Sequence, residues 1–271
     1  MSSSISLEDL NDHQRQAVTA PVGHYLILAG AGSGKTRVLV HRIAHLMSHE
    51  QSSPFAILSV TFTNKAAQEM RERIAQISEI PIYGMWVGTF HGISHRILRA
   101  HFDQAGINEN FQIIDSDDQL RLVKRVMQSL GIDEKRFAPK QAQWFINQQK
   151  EKGFRAAYVP NQNDFFTRTQ TQIYAAYEKL CQQSDLIDFG ELILRTVELL
   201  ENNASVADHY QQRFAHILVD EFQDTNSIQY RWLRAFSRGG ASMMAVGDDD
   251  QSIYSWRGAK IENINHFEAD Y

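Results

Sequence analysis

Ala29-Gly30-Ala31-Gly32-Ser33-Gly34-Lys35-Thr36 stands between a short apolar run at 25–29 and a helical pattern at 35–47. Glycines let a backbone curl until successive N–H groups face inward, and a helix starting where the curl ends adds partial positive charge. A strand, such a loop and a helix in that order form a seat for nucleotide phosphates. Lys35 is placed to reach the β- and γ-phosphates, and the Thr36 hydroxyl to hold Mg²⁺. The strict form of the loop begins with glycine, and position 29 is alanine. The competing reading is a plain glycine-rich turn, which the intact Gly-Lys-Thr and the preceding strand disfavour. The loop alone specifies a nucleoside triphosphate, and neither the base nor the work done.

Further apolar runs at 57–61, 85–89, 217–220 and 242–246 read as strands buried on both faces, as in a parallel sheet. Helical patterns at 65–77 and 227–236 alternate with them, as βαβ units require. From Phe90 to Phe214 the character changes to helical periodicity. Ser116-Asp117-Asp118-Gln119 has capping-box spacing and opens one helix, and similar patterns follow at 142–149, 173–180 and 189–200. The expected architecture is α/β, with a parallel sheet built from 1–90 and 215–271 and an all-helical subdomain, 91–214, inserted between. There is no internal repeat and no low-complexity tract.

Asp220 and Glu221 follow the run Ile217-Leu218-Val219, at the end of a predicted strand where parallel sheets gather their ligands. Adjacent acids usually mark an exposed loop. Beside a phosphate loop they take on a different reading. Asp220 can hold Mg²⁺ opposite Thr36, and Glu221 can orient and deprotonate an attacking water.

The net charge is −5, which by itself speaks against a polyanionic partner. Phosphate contacts depend on local clusters, however, and three exist: Arg96, Arg99 and His101; Arg121, Lys124 and Arg125; Lys150, Lys152 and Arg155. Each also reads as a solvated helix face. A single cysteine, Cys181, suits a reducing compartment, the N-terminus lacks the features of a signal peptide, and no stretch reaches the roughly 18 apolar residues of a membrane span. A cytoplasmic protein without a membrane partner is expected.

Five longer motifs carry a resemblance. They are Leu10-Asn11-Asp12-His13-Gln14-Arg15-Gln16-Ala17-Val18, Thr61-Phe62-Thr63-Asn64-Lys65-Ala66-Ala67, Gly88-Thr89-Phe90-His91-Gly92, Val219-Asp220-Glu221-Phe222-Gln223-Asp224-Thr225-Asn226, and the run from Gly247 through Asp248, Gln251, Tyr254, Trp256 and Arg257 to Ala259. In order and spacing the chain resembles the UvrD/Rep/PcrA group of superfamily 1 helicases. The resemblance implies a RecA-like P-loop NTPase sheet and an ATP-driven, 3′-to-5′ DNA motor in DNA repair, with ATP and Mg²⁺ as cofactors. Single-stranded and duplex-junction DNA are the implied partners, together with repair proteins.

It also implies roles. Gln14 reads the adenine, Arg37 contacts the nucleotide sugar or base, and Gln251 senses the γ-phosphate and the attacking water. Phe62, Thr63, Asn64, Thr89, His91, Tyr254 and Trp256 line the single-strand path, and Arg257 couples that path to the nucleotide. Taken singly, Phe62, His91, Tyr254 and Trp256 read as ordinary packing; their joint placement after strand ends reverses this. Asp188-Phe189 resembles a further DNA-side motif, with Gly190 where an acid or small residue is usual. The motifs present are those of one motor half, so the 271-residue chain alone is expected to bind Mg·ATP weakly, hydrolyse it slowly and not unwind a duplex. The alternatives are a binding module without hydrolysis and a P-loop ATPase or GTPase of another kind. No NKxD-type guanine motif follows the last strand, which disfavours the GTPase.

Overall fold

The computed structural model describes residues 7–78, 80–160, 163–248 and 261–271. The strands, in chain order, are β1 (Tyr25–Leu28), β2 (Ile57–Thr61), β3 (Trp86–Thr89), β4 (Gln112–Ile113), β5 (Leu186–Ile187), β6 (His216–Val219) and β7 (Ser242–Gly247). The helices are α1 (Asp12–Thr19), α2 (Lys35–Ser48), α3 (Asn64–Ile77), α4 (Phe90–Ala100), α5 (Ser116–Ser129), α6 (Pro139–Glu151), α7 (Phe165–Gln183), α8 (Phe189–Asn202), α9 (Ala204–Arg213), α10 (Ser227–Ser237) and α11 (Ile261–Asp270). They fall into two compact units, one of Met1–Ile93, Ala204–Asn226 and Leu233–Tyr271, the other of Ser94–Asn203 and Ser227–Trp232.

The first unit is built on a sheet in which β1, β7, β6, β2 and β3 lie side by side, all parallel. The continuous apolar runs end up where two-sided burial demands them: β2 and β6 are buried throughout, while the edge strand β1 is partly exposed. Leu39, Ile43 and Leu46 of α2 and Met70 and Ile74 of α3 pack with Ile57, Leu218, Met244 and Val246 of the strands. Each such side chain contributes roughly 1.5–3 kcal/mol by leaving water. The Trp86 ring lies 5.7 Å from Tyr210 and 5.3 Å from Phe214, and this aromatic contact holds α9 in the sheet unit.

In the second unit α5, α6 and α7 enclose a core of Val123, Met127, Ile146, Ile173, Tyr174 and Tyr177. Two local details depart from the sequence reading. Asp115, not Ser116, caps α5, accepting from the amides of Asp117 and Asp118 at 2.9 and 2.8 Å. A parallel bridge, β4 with β5, also joins the ends of two connecting segments, and two residues a side are too few to leave a periodic signal.

The third basic cluster is largely internal. Lys150 is buried with Asp188 at 2.8 Å and Glu191 at 3.0 Å, and Arg155 reaches Glu191 at 2.7 Å and Glu178 at 3.1 Å. Asp188 also caps α8 and accepts from the Tyr177 hydroxyl at 2.7 Å, so it works inside the unit while Phe189 beside it is exposed. Gly190 has a steric reason: a Cβ there would come within 3.3 Å of the Lys150 chain. Burial works against the charge of Glu191, yet Lys150, Arg155 and Arg195 outweigh it and hold its carboxyl well below the usual range of about 4.5.

A depressed acid stabilises the fold above its unfolded pKa and loses that contribution as pH falls towards its folded value. Resistance to urea should therefore change little through this group from pH 7 to about 5 and fall below the ordinary Glu value of 4.5. A Glu191 carboxyl that titrates at or above 4.5 by NMR contradicts the network.

Candidate nucleotide-binding site

Because the sheet is parallel, β1, β7, β6, β2 and β3 all deliver their C-terminal ends to one edge. There β1 runs into the glycine loop, held to β7 by the Ala29 amide donating to the Gly247 carbonyl at 3.1 Å. Gly32 and Gly34 take the left-handed conformation, with φ of 75° and 83°, and Gly34 caps α2 without any side-chain bond to the helix amides. The first turn of α2 thus keeps its N–H groups free of a capping side chain, as an anion site needs. Among the described residues the Ser33 hydroxyl, which is buried, has no hydrogen-bond partner, an orphan polar atom inside the cradle. Ala31 is exposed and borders the cavity beside the loop.

The Lys35 ammonium folds back across the loop, donating to the carbonyls of Ala29 at 2.8 Å and Gly30 at 3.0 Å and pairing with Asp248 at 3.3 Å. The Thr36 hydroxyl donates to Asp220 Oδ2 at 3.1 Å. Asp220 is fixed to the neighbouring strand β2, its amide donating to the Val60 carbonyl at 3.0 Å. Burial, then the adjacent charge of Glu221, raise the Asp220 carboxyl above its ordinary value, against the pull of Thr36 and Lys35. Crowded acids of this kind are relieved by a bound cation. Among the described residues no cluster of three or more His, Cys, Asp or Glu could hold a metal unaided. A hydroxyl and one carboxylate fit Mg²⁺, which keeps phosphate oxygens and waters as its other ligands.

Lys35, Thr36, Arg37, Arg73, Glu221 and Asp248 line a cavity of about 390 Å³, within the size range of small-molecule pockets. Sequence reasoning missed Arg73, Asp248 and Gln223. Arg73 lies on α3, outside any motif, and only the fold brings it here. Asp248 and Gln223 stood inside motifs, but nothing in their spacing gave them a task. Gln223 donates to Glu221 at 2.7 Å and accepts from the Asp248 amide at 2.9 Å.

Gln14 reaches the loop from α1, its Nε2 donating to the Ser33 carbonyl at 2.8 Å while its Oε1 accepts from the Asn11 amide at 3.1 Å. A primary amide has two N–H groups and two lone pairs, so one of each stays available for a base edge. Arg37 is half-exposed and 3.9 Å from Asp9.

Of the residues assigned to the DNA path, the neighbouring ends of β2 and β3 hold five. Phe62 is half-buried, edge-on to Phe90 at 5.5 Å, and Thr63 and Asn64 are exposed. Thr63 caps α3 through the Ala66 amide at 3.1 Å, and Thr89 is buried, accepting from the Gly92 amide at 3.0 Å. Both hydroxyls are therefore occupied in shaping helix starts. Burial lowers the pKa of His91 below the ordinary histidine value, which favours the uncharged ring. Gln251, Tyr254, Trp256 and Arg257 lie outside the described residues.

A second cavity, about 330 Å³, lies in the helical unit beside Lys150, Arg155, Asp188 and Glu191. Its charges are already matched to one another.

A parallel sheet whose first strand runs through a left-handed glycine loop into α2, with carboxylates on the adjoining strand ends, defines a P-loop α/β domain. The chain belongs to the UvrD/REP helicase N-terminal domain family, whose profile matches residues 10–271. Its sheet is accordingly RecA-like, with a helical insertion. The chain is 54% identical over 271 residues to DNA helicase II of Escherichia coli, covering 100% of this chain and 38% of that protein. It is 41% identical over 266 residues to ATP-dependent DNA helicase PcrA of Staphylococcus aureus, covering 98% of this chain and 36% of that protein. The chain thus spans somewhat over a third of the length of these relatives.

Gly34 tests the loop geometry. A Cβ there would stand 2.7 Å from Gln14 Nε2 as well as in a strained φ, whereas at Gly32 nothing lies within 4 Å. Gly34→Ala should cost about 1–3 kcal/mol of stability and weaken nucleotide binding, with Gly32→Ala costing less on both counts. Urea unfolding and a fluorescent-nucleotide titration read the difference, and equal effects would remove Gln14 from the loop's support.

Proposed function

We propose that this chain is the Mg·ATP-binding and single-strand-tracking part of a DNA helicase motor. The observation that carries the reading is the meeting of Thr36 with Asp220 at 3.1 Å beside a cavity that Lys35 and Glu221 also face. When ATP is present, Lys35 exchanges its loop carbonyls and Asp248 for the β- and γ-phosphates, trading two neutral acceptors and one carboxylate for charged phosphate oxygens. Thr36 and Asp220 would hold Mg²⁺, which when bound would supply positive charge against the negative charge developing on the phosphoryl group. Glu221 takes the proton of the attacking water, and Gln251 orients that water and the γ-phosphate. The free amide capacity of Gln14 reads adenine, Arg37 contacts the sugar or base, and the backbone of Ala29 to Gly34 cradles the phosphates.

Phe62, His91, Tyr254 and Trp256 supply flat faces that stack on bases without reading sequence, at about 1–3 kcal/mol per base. Asn64 adds polar contacts, and Thr63 and Thr89 act through the helix starts they shape. Arg257 couples stacking to the nucleotide. In the whole protein these parts would drive 3′-to-5′ translocation and opening of duplex junctions in DNA repair, in the cytoplasm and with repair proteins as partners.

Lys35→Ala should abolish Mg·ATP binding by calorimetry while leaving the melting transition in place; retained affinity would show that the loop is not the phosphate seat. Trp256→Ala should weaken binding to a labelled oligodeoxythymidylate and leave ATP affinity as it was. DNA affinity equal to the native chain's would remove Trp256 from the path.

A further inference from the structure

Glu221 occupies an unusual backbone position: its φ of 51° and ψ of 44° are left-handed, a region a β-carbon disfavours. Conformations of this sort persist where their surroundings over-determine them. Here the 3₁₀ turn Phe222–Asp224 does so, with Phe222 buried edge-on against Phe267 at 5.7 Å. Thr225 closes the turn onto the Phe222 carbonyl at 2.7 Å and receives Asn263 Nδ2 on its own carbonyl at 2.8 Å. The backbone is thus fixed, but a carboxylate on three further side-chain torsions is not.

Gln223 supplies the missing restraint. It is buried, and its two amide ends have unlike partners: Oε1 accepts from the Asp248 backbone N–H at 2.9 Å and Nε2 donates to Glu221 Oε2 at 2.7 Å. This orientation is forced by chemistry, because a backbone N–H can only donate, so the amide oxygen faces Asp248 and the amide nitrogen is left for Glu221. Gly247 makes room for it, since a Cβ there would stand 3.0 Å from Gln223 Oε1.

We propose that Gln223 is a positioning residue for hydrolysis, one that holds a single oxygen of Glu221 and leaves the other directed to the attacking water. The inference rests on the reading of Glu221 as the base. Because Gln223 hangs from the amide of Asp248, the orientation of the base is tied to the end of β7, from which the chain continues towards Gln251.

The test is single-turnover hydrolysis of labelled ATP by excess chain, with Mg·ATP affinity and thermal unfolding measured on the same samples. Gln223→Met keeps the volume and loses both bonds. It should slow hydrolysis by about 100-fold, the cost of a misplaced catalytic group, while affinity and melting stay near native. Gln223→Glu can still accept from Asp248 but cannot donate to Glu221, and should be equally slow. In the Glu221→Gln background, Gln223→Met should slow the reaction no further, because the two residues act as one unit.

A native rate for Gln223→Met, recovery of that rate by Gln223→Glu, or a loss of affinity matching the loss of rate overturns the positioning role and leaves the base intact. A native rate for Glu221→Gln overturns the base, and this inference with it. Native hydrolysis no faster than that of Lys35→Ala overturns both.

Discussion

Thr36 and Asp220 are 184 positions apart in the chain and 3.1 Å apart in space. Nothing local brings them together. The parallel register does so, with Leu28 opposite Gly247, Ala245 opposite Val219 and Val219 opposite Val60 across four neighbouring strands. Each strand ends at the same edge and hands on to a different device: β1 to the glycine loop, β7 to Asp248, β6 to the acids and β2 to Phe62. A slip of one strand would turn its side chains to the other face and take its end residues out of reach. The buried, unbroken apolar strands that fix the register are therefore as much a part of the candidate site as Lys35.

The two charged assemblies of the chain differ in a way that separates structure from proposed chemistry. Around Glu191 cations and carboxylates answer one another within the helical unit, and the acid is held well below its usual range. Around Asp220 the balance is the reverse: burial and a second carboxylate raise the acid, and the nearby Lys35 spends part of its donor capacity on backbone carbonyls. The first arrangement is complete as it stands. The second has, among the described residues, a polar orphan at Ser33, together with a raised acid at Asp220 and a cavity lined by Lys35, Thr36 and Glu221. That spare capacity is what anionic phosphates and a divalent cation would take up.

Much of this was legible from residue order. The apolar runs gave the sheet strands to within a residue or two, and Gly-Lys-Thr after a strand gave the loop, because periodicity and glycine placement are local signals. The acids of β6 were legible only in combination with that loop. The cap of α5 at Asp115 was misread by one position, since Asp and Ser both cap and sequence does not say which backbone is extended. The pairing of β4 with β5 and the approach of Arg73 are tertiary facts with no periodic trace. Lys150 and Arg155 look like surface charge in a string, and only the fold reveals the carboxylates that surround them. Gln223 is the instructive omission: its two bonds, one to a side chain and one to a distant amide, become visible only when β6 and β7 lie side by side.

The account turns on Thr36 and Asp220 serving one cation beside the phosphates. The direct measurement is the affinity for ATP with and without Mg²⁺, in the native chain, in Thr36→Val and in Asp220→Asn. The expected result is that native affinity rises sharply with Mg²⁺ and that each substitution removes most of that gain while sparing the Mg²⁺-free affinity. Both variants keeping the full Mg²⁺-dependent gain would contradict it.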